Sequence, residues 1–484
     1  MTPPVHLRLL ITVWLGQLVS LIGSSLTGFV LGVWVYQRTG SVTQFSLIFL
    51  ASSLPVLLTA PLAGVLADRY DRRRLMLVSD FGAATGTAIL AALVATGNLA
   101  VWHIYLITAI STACSTVQQV SYQSMTPALV GRRHLARFNG LMQISRAVQI
   151  AAPLIAGTLV VTIGVAGVMA IDLGTFAVGW LILLLVRLPD TITRPAAPRE
   201  RRPLLPDALA GWQHLRRRRG LFQLMVLFAG YNFFFGIAGV LVQPLILSFS
   251  SPDTLGVLMF AGGAGLFAGS LVMGAWGGTR RRIHTVFGGL ALGGVALALH
   301  SLAPSPWLIA VVAPLFLATL PVVNSSTMTL LQTKTEPEVL GRVLAAARLV
   351  GESTVPLAYV LAGPIADGIF EPLMRPDGAL AATVGSVIGT GDGRGTALVF
   401  AVTGVLMVVV VAIGLTRPAL RRVDDLPDAE PVPPAPAEPV PAEPAVEPLP
   451  ADPTVEPVPA EPTVEPAPAA SETASVPGGD AGAR

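Results

Sequence analysis

Five ionisable residues stand inside long apolar runs of this chain: Asp80, Arg146, Asp172, Arg348 and Glu352. Loss of water favours the neutral form of an acid, and a nearby cation favours its charged form. A shielded carboxylate beside an arginine can therefore take up and release a proton as its surroundings change. Arg348 and Glu352 have the spacing for this, four residues apart and so on one face of a helix. Glu352, Arg348, Arg146 and Asp80 are the proton-coupling candidates, and a permanently charged structural pair is the other reading of Arg348 with Glu352. Asp172, within AIDLGTF, reads as structural. A denser group of charges lies in GVLADRYDRRRLM at 64–76, where Asp68 and Asp71 alternate with Arg69, Arg72, Arg73 and Arg74 between two oily stretches.

Other chemistries lack their residues. The single lysine, Lys334, follows a threonine, so no Gly-x-x-x-x-Gly-Lys nucleotide loop exists and ATP is not an expected partner. Neither His-Glu-x-x-His nor Cys-x-x-Cys occurs, and the six histidines are scattered, so no metal or other cofactor is expected. Cys114 is alone, which excludes a disulfide within the chain and leaves it as an apolar filler. The expectation is a protein that is not an enzyme.

The elements that must position these residues follow from composition. Of 484 residues, 53% are hydrophobic and 12% charged, and the mean hydropathy is +0.69. These values are those of an integral membrane protein. A bilayer core needs about 20 apolar residues per helix, and twelve such stretches follow one another: 10–35, 43–67, 75–96, 101–125, 139–162, 167–186, 221–247, 254–275, 283–302, 306–330, 343–367 and 396–416. The first has no small-residue cleavage site and is expected to be retained. One set of alternate loops holds Arg69 to Arg74, Arg132, Arg133 and Arg137, Arg187 through Arg219, Arg280 to Arg282, Lys334 and Arg342; the other holds Arg38, Arg375 and Arg394. Positive residues stay cytoplasmic in short loops, so both termini are expected in the cytoplasm and the chain in the plasma (inner) membrane. The net charge of +3 is this topological signal together with contact to anionic membrane lipids, and does not indicate nucleic acid.

The spans fall into two sets of six. Residues 1–187 are expected to form an N-terminal six-helix bundle, 188–219 a basic, Pro-rich cytoplasmic linker, 220–418 a C-terminal six-helix bundle, and 419–484 a disordered Pro/Glu-rich cytoplasmic tail that acts as a solvated spacer. The halves echo each other. Gly64 to Arg72 recurs as Gly274 to Arg282 at the same spacing, and Arg146 and Pro153 recur as Arg348 and Pro356. Parallel repeats place a binding site between the halves near the bilayer midplane. Gln17, Gln118, Gln119, Tyr122, Gln149, Tyr231, Asn232 and Asn324 are the candidates to line a cavity for an amphipathic small-molecule substrate, each with helix-to-helix bonding as its other reading.

Gly64, Leu66, Ala67, Asp68, Arg69, Arg72 and Arg73, in the loop after the second of twelve spans, resemble the signature loop of the major facilitator superfamily. The Asp-Arg-Tyr-Asp-Arg-Arg form, with Asp71 where a second glycine is usual, is similar to the macrolide and siderophore exporter branch, the transmembrane secretion effectors. The resemblance spans about residues 8–418. It implies an all-α fold of two six-helix pseudo-repeats, a monomeric unit, and proton-coupled efflux of a drug, macrolide-like compound or siderophore-like metabolite by alternating access. It also implies a gating role for Gly64, Asp68, Arg69, Arg72 and Arg73, with the arginines forming ion pairs that break as the halves rock apart. In that family Asp68 would sit at the cytoplasmic start of the eleventh helix, whose amide end favours a carboxylate by about 0.3–1 kcal/mol. A plain positive-inside loop is the alternative. The helix 5 motif Gly-Pro-x-x-Gly-Gly of the superfamily's drug antiporters is represented by Ala152-Pro153-Leu154-Ile155-Ala156-Gly157, and Gly278 occupies the place of Asp68 in the second half. Import, lipid flipping, and a non-transporting scaffold or sensor that uses its tail are the other readings.

Overall fold

Backbone amides and carbonyls cannot be left unbonded in hydrocarbon, so a chain of apolar stretches this long must satisfy them within helices. The computed structural model describes residues 7–130, 135–186 and 212–428 and contains twelve long helices. The first six are α1 (Leu7–Thr39), α2 (Val42–Arg69), α3 (Arg72–Ala95), α4 (Val101–Val130), α5 (Leu135–Thr162) and α6 (Gly164–Leu185). The second six are α7 (Arg219–Leu247), α8 (Pro252–Trp276), α9 (Arg282–Leu299), α10 (Pro306–Thr333), α11 (Pro337–Ile365) and α12 (Arg394–Thr416). Each coincides with one of the twelve apolar stretches read from the sequence to within a few residues at either end, and ten are long and apolar enough to cross a membrane among the described residues. The described residues contain no strand.

The turns between helices are set by local chemistry. Gly40, at φ 63°, turns the chain between α1 and α2, and Ser41 then caps α2 by accepting from the Gln44 amide. Asp71 caps α3 by accepting from the Arg74 amide at 2.9 Å. That role accounts for an acid at a position where the resembling motif has glycine. Gly277, at φ 70°, ends α8 in the left-handed conformation that a side chain disfavours.

The two halves repeat one packing scheme. In the first, α1 packs on α5 and α6, α2 on α4, and α3 on α4 and α6. In the second, α7 packs on α11 and α12, α8 on α10, and α9 on α10 and α12. Gly82-x-x-x-Gly86 of α3 and Gly265-x-x-x-Gly269 of α8 have the small-residue spacing of close helix contact and are used that way. A Cβ on Gly265 or Gly269 of α8 would stand 2.2 Å from the carbonyl oxygens of Pro314 and Ala318 of α10, and a Cβ on Gly82 of α3 would stand 2.9 Å from Cys114 Sγ of α4. The helices approach to that degree only because these positions lack side chains.

Segments on both sides of 220–418 pack against the second six helices. Trp212–Arg217 is helical, and Leu215 is buried in the core of α7, α9, α10 and α11. After α12 the chain turns back as a short helix, Pro418–Arg421, and a 3-10 turn, Val423–Asp425, and buries Leu420 and Val423 in the same core. The linker residues 187–211 and the tail residues 429–484 lie outside the described residues.

Candidate solute pathway and the contacts that close it

The turn between α2 and α3 is built from helix ends. Arg72 Nε donates to Ala67 O of α2 at 3.3 Å and its Nη1 to Ser124 O of α4 at 3.4 Å. Arg73 Nε and Nη2 donate to Leu183 O and Leu184 O of α6 at 3.1 and 2.6 Å. Leu183 and Leu184 stand in the last turn of α6, where carbonyls have no partner within the helix and carry partial negative charge, so the Arg73 guanidinium satisfies both needs. The family resemblance assigns the arginines of this loop to ion pairs between the halves. In this conformation these bonds of Arg72 and Arg73 lie within the first half. Gly64 and Asp68 lie half-buried in the last turns of α2, and Arg69 is exposed.

One polar chain crosses the first half. Gln118 of α4 donates to Gln17 Oε1 of α1, and the Gln17 side chain faces Asp80 of α3, which is buried. Two cavity candidates and a proton candidate are thus joined across three helices. Tyr122, one turn from Gln118, is buried, whereas Gln119 and Gln149 are exposed. Asp172 is 1% exposed, with Ser24 Oγ of α1 and Thr87 Oγ1 of α3 each 3.4 Å from its carboxylate, and ties α6 to both helices.

The second half separates the remaining candidates. Asn232 Nδ2 donates to Phe228 O at 2.8 Å on the face of α7 that meets Gly351 of α11, and Asn324 Oδ1 of α10 is buried with no hydrogen-bond partner among the described residues. Arg348 is exposed on α11. Tyr231 is enclosed in this conformation. It is 1% exposed, in the core of the second bundle with its ring 6.2 Å from that of Phe235. Arg146 and Glu352 lie in α5 and α11, and their side chains lie outside the described residues.

The halves meet at the end opposite the arginine-rich turn, through a residue that sequence reasoning does not select. Asp367 lies in a π-helical turn, Ala366–Phe370, that widens the end of α11. Its carboxylate accepts from Ser41 Oγ at 2.7 Å and from the amides of Val42 and Thr43 at 3.1 and 2.8 Å, so it caps the N-terminus of α2 in the other half. The same helices are held by Phe49 against Tyr359 at 5.6 Å and by Gly363, where a Cβ would come 2.4 Å from Thr43 Cα. The pseudo-equivalent pair, α5 and α8, is equally close: a Cβ on Gly157 would stand 2.5 Å from Pro252 O, and one on Gly256 2.4 Å from Pro153 O. Gln243 of α7, also absent from the sequence-derived candidates, is buried where α7 faces Gly32 of α1. A signal for Asp367 does exist in the sequence, since an Ala-Asp pair ends both α2, as Ala67-Asp68, and α11, as Ala366-Asp367.

A family model for the Major Facilitator Superfamily matches residues 13–358. Macrolide efflux protein A of Streptococcus pyogenes is 24% identical over 363 residues, covering 74% of this chain and 89% of that protein. Enterobactin exporter EntS of Escherichia coli O1:K1 / APEC is 28% identical over 340 residues, covering 68% of this chain and 79% of that protein. Among solved structures, a bacterial homolog of the human lysosomal transporter Spinster, in an inward-facing and unoccupied conformation, superposes with a TM-score of 0.62 at 14% identity, covering 88% of this chain and 98% of that one. The family match runs from α1 into α11, over two bundles with one packing scheme, and the chain belongs to the major facilitator superfamily of multi-pass membrane transporters.

Proposed function

We propose that this protein exports a hydrophobic or amphipathic small molecule across the plasma membrane by alternating access, driven by protons. The observation that carries the reading is the closure of the two bundles at one end, with Asp367 of the second half capping α2 of the first. A contact between halves made through a few hydrogen bonds and glycine approaches can open as the bundles rock and be replaced by contacts at the other end. With the arginine-rich end cytoplasmic, as positive residues in short loops favour, Asp367 belongs to an outer gate and both termini are cytoplasmic. The direction of transport rests on the two relatives, whose names describe macrolide efflux and enterobactin export.

In this reading Asp68, at the opposite end of α2, forms the inner gate when the cytoplasmic side closes, on the amide end of α11. Gly64, Arg69, Arg72 and Arg73 shape that gate. Glu352, with Arg348 on α11, and Asp80, with Arg146 and the Gln17–Gln118 chain, carry the coupled proton. Residues 1–187 and 220–418 act as the two rocking units, joined by 188–219.

The test is retention of a fluorescent amphipathic dye in cells that express the protein, with and without a protonophore. Wild-type cells retain several-fold less dye than empty-vector cells, and the protonophore or Asp68→Asn at equal surface expression removes that difference. Glu352→Gln leaves binding but abolishes the response to an imposed proton gradient. Wild-type efflux by Asp68→Asn would remove the gate from the mechanism, and efflux indifferent to the protonophore would remove the proton.

A further inference from the structure

The arginine-rich end of the second bundle holds a groove that the transport reading leaves unused. It opens between the start of α7 and the segment after α12, has a volume of about 570 Å³, and is lined by Arg217, Arg218, Arg219, Pro418, Arg422 and Leu426 among others. The acids around it are already engaged. Glu336 pairs with Arg218, and Asp424 accepts from the amides of Arg282 and Ile283 at 3.1 and 3.0 Å. Asp425 lies 3.5 Å from Arg281, and Asp428 lies 2.8 Å from Lys334. Arg217, Arg219 and Arg422 are exposed, and their side chains make no hydrogen bond or ion pair among the described residues. No side chain caps the first turn of α7, which begins at Arg219, so its amides add partial positive charge at the same place.

Three unneutralised guanidinium groups around a concave site select an anion with several oxygens, because each planar fork can donate two parallel hydrogen bonds to one phosphate. The depth of the groove selects its source. Gly220 follows the first residue of α7, and α12 ends at Thr416, so the arginines stand within about one turn of the ends of two helices long and apolar enough to cross a membrane. That is the level of lipid headgroups, where an arginine contributes about as much as it can to binding an anionic surface. Pro418, Ala419 and Leu426 supply an apolar wall beside the charges, suited to the glycerol and first methylenes of a lipid. We propose that this groove binds the phosphate of an anionic phospholipid and thereby ties the Trp212–Arg217 helix to the segment after α12.

The experiment uses the full chain, purified in detergent and delipidated, titrated with phosphatidylglycerol, phosphatidylcholine or inorganic phosphate and read by native mass spectrometry and by the melting temperature. Phosphatidylglycerol binds and raises the melting temperature, phosphatidylcholine and inorganic phosphate do neither, and Arg217→Gln with Arg219→Gln and Arg422→Gln together weakens binding of phosphatidylglycerol by about 100-fold, the factor for three lost cationic contacts. Arg280→Gln, an exposed arginine outside the groove, binds as wild type. Equal binding by the triple variant, equal loss in Arg280→Gln, or protection by inorganic phosphate matching that by phosphatidylglycerol would each overturn the assignment.

Discussion

Asp367 and Asp68 end the two helices, α11 and α2, that face each other across the halves, and each is an acid placed to meet the amide end of the other helix. In the conformation described, Asp367 makes its contact with the amides of Val42 and Thr43. A hydrogen bond to a charged group contributes about 1.5–3 kcal/mol, and an acid at a helix N-terminus about 0.3–1 kcal/mol more. Asp367→Asn keeps the shape and one acceptor oxygen but loses the charge, so the outer closure is expected to weaken by about 1–3 kcal/mol. A cysteine at Phe49, which packs against Tyr359, in a Cys114→Ser background reports this. Its labelling by a membrane-impermeant thiol reagent should rise by about tenfold in the Asp367→Asn variant. Unchanged labelling would mean that the closure does not depend on Asp367. At this scale the sequence shows which residues are expensive to place in a membrane, and Asp80 and Asp172 stand out on that ground. It does not show partners. Asp367 stands at a span end, where an acid is unremarkable by position, and Tyr231 carries a hydroxyl that suits a cavity equally well whether the ring faces solute or core. The arginines at 72 and 73 are visible, but the carbonyls of Ser124, Leu183 and Leu184 that they bond belong to α4 and α6, which composition cannot bring to them.

Elements are more legible than residues, because helix length and apolarity are local properties and the bilayer leaves the chain few alternatives. Glycine spacing locates the α8 to α10 contact, but the same signal cannot separate packing within a bundle from packing between bundles. Gly265 and Gly256 both lie on α8; the first meets Pro314 of the same half and the second meets Pro153 of the other. Their alanine variants are therefore expected to fail differently. In Gly265→Ala the added methyl meets a backbone atom of a permanent contact, and overpacking of that kind costs about 1–3 kcal/mol, so the melting temperature falls. In Gly256→Ala the conflict exists only while α5 and α8 are closed at the outer end, so the fold keeps its melting temperature within a few degrees while substrate flux falls at least about fivefold as the outward-closed state is disfavoured. Gly274→Ala, where a Cβ on the same helix meets nothing within 4 Å, is the control for both. Equal melting temperatures for all three variants would show that the helices give way at Gly265.

At the scale of the whole molecule, the repeat of one packing scheme across two halves is legible from the echo of Gly64–Arg72 in Gly274–Arg282, while the end of the second bundle is not. Composition changes to Pro and Glu soon after α12, which places the break at 418. Yet Leu420 and Val423 are buried, and the segment to Asp428 is held by charges whose partners lie far away in sequence. Lys334 is the centre of this arrangement. It is 7% exposed, and its Nζ donates to Asp424 O and Leu426 O at 2.6 Å each and pairs with Asp428 at 2.8 Å. Arg218, from the other flank of the bundle, donates to Lys334 O at 2.8 Å. A chain cut after Arg417 would leave a buried ammonium without these partners, which costs about 3–5 kcal/mol, and would also expose the face that Leu420 and Val423 cover. Its melting temperature is expected to fall by about 10 °C. A chain cut after Asp428 keeps every one of these contacts and should melt and transport as the full chain does, which separates a transporter from a scaffold that depends on its acidic tail. Loss of flux in the chain cut after Asp428, with its melting temperature unchanged, would assign the tail a part in function; loss of stability there would move the end of the folded unit beyond Asp428.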